Sequence, residues 1–71
     1  MNALQLKIQD LEYTVAELKK ELRRIKSAIN KVEKLGLSIP SEILFKKENI
    51  EVELKERKQE LKSFKKVAKL I

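Results

Sequence analysis

The chain has 71 residues, with 17 Lys and Arg against 11 Asp and Glu, a formal net charge of +6, and neither cysteine nor histidine. A chain this short makes one small domain at most, near the size at which a single core contributes only about 3 to 5 kcal/mol of net stability. The missing cysteine and histidine exclude disulfides and a nitrogen- or sulfur-ligated structural zinc as staples, which leaves regular helix packing and association with another chain.

Ala, Leu, Ile, Lys, Glu and Arg dominate, with one Gly and one Pro, the composition of long helices and coiled coils. From the start, Leu4, Ile8, Leu11, Val15, Leu18, Leu22, Ile25, Ile29 and Val32 follow one another at alternating spacings of four and three. This heptad seam places Ile8, Val15, Leu22 and Ile29 at a and the others at d, so that one stripe of a helix faces a partner helix. The helix is expected over 2–34, begun by Asn2, whose side-chain amide can accept from free backbone N–H groups of the first turn. At a rise of about 1.5 Å per residue it is roughly 45 to 50 Å long.

The heptad stops at Lys-Leu-Gly-Leu-Ser-Ile-Pro-Ser, and a turn is expected over 35–40. Gly36 supplies the left-handed conformation that closes a helix, Ser38 is a candidate cap for the next, and Pro40 suits a first-turn position that has no N–H to lose. So short a linker folds a second helix, expected over 40–70, antiparallel on the first. Its seam runs Ile43, Lys47, Ile50, Leu54, Arg57, Leu61, Phe64, Ala68 and Ile71. Two members are charged. For Arg57 the pattern leaves two readings: a stem laid over the seam with its guanidinium reaching Glu17 or Glu21, or an arginine directed into water from a locally splayed helix.

Leu6, Tyr13, Leu44, Phe45, Val52, Val67 and Leu70 lie off the seam and form the candidate oligomer or partner surface, and Leu35 and Leu37 crowd the turn. A bare hairpin buries one stripe per helix, so two hairpins joined as a dimeric four-helix bundle would bury more of these residues. A swapped bundle, in which the helices separate and pair with those of a second chain, satisfies the same heptads. The fold class is therefore all-α: a single antiparallel two-helix hairpin, coiled-coil-like, expected to assemble as a homodimer.

Catalytic, cofactor and metal sites are expected to be absent. There is no His or Cys for nucleophilic catalysis, one Gly does not build a phosphate-cradling loop, and neither HExxH nor an EF-hand loop occurs. Glu53, Glu56 and Glu60 alternate with Lys55, Arg57 and Lys58, which reads as a solvated face of helical ion pairs. The chemical asymmetry lies in the cations. Lys19, Lys20, Arg23, Arg24 and Lys26 cluster in the first helix, and Lys62, Lys65, Lys66 and Lys69 at the end of the second. The bland account is helical pairing for the first cluster and a favourable dipole position for the second. The functional account is sequence-independent, salt-sensitive contact with phosphates, because the clusters lack the aromatic interleaving of single-strand binders.

Cut out alone, the last eleven residues look like a cationic amphipathic helix for an acidic membrane. Leu61, Phe64, Ala68 and Ile71 among them are also seam residues, and their burial against the first helix removes the membrane-facing side. No apolar run is long enough to span a bilayer, and the first residues lack a basic, then apolar, leader pattern, so a soluble, cytoplasmic chain is expected. The plan is like that of the helical arms of aminoacyl-tRNA synthetases and similar in size to small bacterial hairpin regulators of the sporulation phosphatase type. Where the latter carry Ser-Gln-Glu-Leu-Asp this chain reads Glu-Ile-Leu-Phe-Lys-Lys-Glu-Asn-Ile, and no family is assigned on shape alone. The leading expectation is a non-enzymatic interaction and oligomerisation module with a protein partner; the alternative is a small basic protein that binds nucleic-acid phosphates.

Overall fold

A computed structural model of the chain describes residues 2–70. Two helices, α1 (Ala3–Lys34) and α2 (Ser41–Leu70), pack against each other as an all-α hairpin. The hairpin measures 54 × 16 × 15 Å. Its long axis is that of a single helix, and its two short dimensions are nearly equal.

Local chemistry fixes both ends of α1. The Asn2 side chain accepts from the Gln5 amide at 2.8 Å, and the Gln5 side chain accepts from the Asn2 amide at 3.3 Å. This reciprocal capping box satisfies two donors that the first turn leaves without helical partners. At the other end the chain closes in a Schellman arrangement: Leu37 N–H donates to the Val32 carbonyl at 3.2 Å and Gly36 N–H to the Glu33 carbonyl at 2.9 Å. Gly36 has a φ of 73°, in the left-handed region where a side chain would meet its own backbone. The first turn of α2 hangs from the Pro40 carbonyl, which accepts from Ile43 at 3.1 Å and Leu44 at 3.4 Å. The cap is thus Pro40 acting through its backbone rather than Ser38 acting through its hydroxyl, because the helix begins too late for Ser38 to reach its free amides.

The heptad stripes meet along the hairpin. Leu11, Val15, Leu18, Ile50 and Leu54 are buried, and Leu22, Ile25 and Leu61 pack against the central cluster as half-buried neighbours. The other described seam positions, Leu4, Ile8, Ile29, Val32, Ile43, Phe64 and Ala68, are half-buried too. Ile71, the last position of the seam, lies outside the described residues. Among the described residues no large side chain falls below 2 % exposure, as expected for two helices with nothing laid over them.

The charged seam positions behave differently from each other. Lys47 lies half-buried with its ammonium 3.6 Å from Glu51 one turn on. Arg57 turns its guanidinium to Glu60 at 3.1 Å and Glu56 at 3.4 Å, both on its own helix. It reaches neither Glu17 nor Glu21 and is not cast out into water. A partner one turn away is met without stretching the side chain across the seam, and the stem stays over the apolar stripe. That placement leaves the Arg57 Nε buried without a hydrogen-bond partner.

Candidate functional site

The seam fixes which residues flank it. On α1, positions e and b lie beside a, and positions g and c beside d; the same holds for α2, where Lys47, Leu54, Leu61 and Ala68 are at a. The hairpin therefore has two long flanks, one lined by e and b residues of both helices and the other by g and c residues. The grooves on the surface follow this division.

On the g/c flank a furrow of about 570 Å³ runs over Leu18, Ile25, Ala28 and Ile43. Tyr13, Glu17, Lys20, Glu21, Arg24 and Lys46 border it, and Lys46 and Glu21 meet across it at 3.6 Å. Along the outer edge of α1 the c positions read Asp10, Glu17, Arg24 and Lys31, all exposed. None of these four takes part in an ion pair among the described residues.

On the e/b flank a groove of about 490 Å³ has Val15 and Leu61 at its floor and Lys19, Lys58, Lys62, Lys65, Lys66 and Lys69 around it. The fold thus brings one residue of the first sequence cluster against the whole of the second. It does not keep the first cluster together. Lys20 and Arg24 border the opposite furrow, Lys26 lines a smaller groove nearer the turn with Ile29, Leu44 and Lys47, and Arg23 is exposed on the e/b flank. Five cations within eight residues are spread around a helix because each step turns it by about 100°. Lys58, one of the cations that alternate with Glu53, Glu56 and Glu60, is a groove residue as well. The register of the α2 seam, which sets Lys58 at e, carried the signal.

The off-seam apolar residues do not form one patch either. Leu6 and Tyr13 are exposed on the back of α1, and Phe45 and Val52 on the back of α2, which points the opposite way. Leu44 sits on the e/b flank near the turn, whereas Val67 and Leu70 lie on the g/c side at the far end of α2. The grooves are shallow, and among the described residues no group of His, Cys, Asp and Glu is placed to hold a metal ion. No helix among the described residues is long and apolar enough to cross a membrane. Compared with protein-family models, with curated proteins and with solved structures, the chain matches none of them.

Proposed function

We propose that the hairpin is a non-enzymatic interaction module that self-associates as a dimeric four-helix bundle through its g/c flank. The observation that carries this reading is the charge order of the exposed c stripe: Asp10 and Glu17 acidic, Arg24 and Lys31 basic, all four without an ion-pair partner among the described residues. A second copy laid antiparallel, with a two-fold axis between Lys20 and Glu21, sets Asp10 against the other copy's Lys31 and Glu17 against its Arg24. The same axis places Tyr13 over the small Ala28 and brings the two apolar furrows face to face. An isologous contact needs one surface complementary to itself, and an antisymmetric stripe of this kind is. The thin core supplies the motive, because a second hairpin would cover Leu18, Ile25 and Ile43 from the open side.

Sedimentation equilibrium across a concentration series tests this. Glu17→Arg alone should weaken the dimer by about tenfold or more, because it turns two symmetry-related attractions into repulsions. Combining it with Arg24→Glu should restore most of the loss. A strict monomer at high concentration, or a double variant as weak as the single, overturns the proposal.

A further inference from the structure

The e/b groove has a different character from the furrow behind it. Its lysines come from both helices, every one of them is exposed, and none takes part in an ion pair among the described residues, where the paired cations are Lys46, Lys47 and Arg57. Six like charges gathered around one groove repel one another, and although Glu12 and Glu51 stand at e positions of the same flank, no carboxylate among the described residues lies within ion-pair distance of any of the six lysines. Such an arrangement is stabilised by an external polyanion.

Two kinds of polyanion present phosphate in quantity, and the distribution of apolar residues decides between them. An anionic membrane needs cations and insertable apolar side chains on the same face. Here the exposed apolar residues nearest the lysines along α2, Val67 and Leu70, sit on the opposite flank, and Leu61, Phe64 and Ala68 are engaged in the seam. Single-stranded nucleic acid asks for aromatic platforms on which bases stack. This flank has none, since Tyr13 and Phe45 are on the helix backs and Phe64 is in the seam. What remains is a straight, rigid row. Lys58, Lys62, Lys65 and Lys69 span about 16 Å along α2 at a rise of about 1.5 Å per residue, long enough to meet several successive phosphates of one strand.

We propose that the e/b groove docks the phosphodiester backbone of duplex nucleic acid, with Lys58, Lys62, Lys65 and Lys69 following one strand and Lys19 closing on it from α1. The contact reads no bases. It lies on the flank opposite the self-association surface, so it does not depend on dimerisation.

Fluorescence anisotropy with a DNA duplex of about 20 base pairs tests it, with helicity of each variant checked by circular dichroism. For about four phosphates engaged, affinity should fall roughly a hundredfold between about 50 and 200 mM salt. Lys62→Gln combined with Lys65→Gln should lower the salt slope by about two. Lys7→Gln combined with Lys34→Gln removes the same net charge elsewhere and should leave the slope unchanged. Equal effects of the two pairs would mean attraction by net charge alone and would overturn the assignment. So would absence of duplex binding at low salt, preference for a single strand, or lysine-dependent binding to phosphatidylserine vesicles without binding to the duplex.

Discussion

The middle of the hairpin and its turn end contain similar apolar material arranged to opposite effect. In the middle, Val15, Leu18, Ile50 and Leu54 stand on facing stripes and are buried. At the turn, Leu35, Leu37, Leu44 and Phe45 are as apolar and as closely spaced, yet all are exposed, Phe45 to 66 %. Register rather than hydrophobic content separates the two regions: a residue one step off the seam is turned about 100° from the partner helix and finds nothing there.

Truncation of one residue from each region is the strongest way to sharpen this contrast. Leu54→Ala should cost about 2 to 4 kcal/mol, most of what a chain of this size has, and urea or thermal unfolding followed by circular dichroism should find the variant largely unfolded at room temperature. An intermediate effect, of opposite sign, is expected at the one flaw in the middle. Arg57→Met keeps a long apolar stem and removes the buried, unpartnered Nε. It gives up only partly exposed pairs with Glu56 and Glu60, which contribute little, so stability should rise by about 1 kcal/mol in a denaturant titration; a fall of that size would mean that the guanidinium contributes packing a thioether does not replace. The smallest effect belongs to the turn end. Phe45→Ala removes a larger side chain than Leu54→Ala does, yet it should stay within about 0.5 kcal/mol of the parent when measured in dilute solution. If the two alanine variants came out alike, burial would not be what distinguishes the regions.

Much of this architecture is legible in the sequence. The alternation of three and four residues names the facing stripes, and Gly36 is at the position where only a left-handed residue lets the Leu37 and Gly36 amides return to Val32 and Glu33. The periodic signal is strong because each seam residue repeats the same instruction. Single contacts are not repeated in this way. Arg57 had several carboxylates within reach, and its choice of Glu60 over Glu17 or Glu21 depends on side-chain geometry that spacing does not encode. The lysine groove falls between these cases. Counting cations along the chain gathers Lys19, Lys20, Arg23, Arg24 and Lys26 into one cluster, whereas following the heptad around the helix separates them and adds Lys58. Contiguity in sequence is a poor guide to a surface shared by two helices.

The single reversal at Gly36 has a mechanical corollary. With one crossing-over of the chain, the tertiary contact among the described residues forms a two-railed ladder whose rungs can be lost one at a time from the pole farthest from the bend. Backbone amides should then exchange with solvent along a gradient, slowest between Val15 and Leu22 and around Ile50 to Leu54 and quickening towards Asn2 and Leu70. A rod that unzips by degrees can lengthen or shorten its ordered part to suit whatever it lies against.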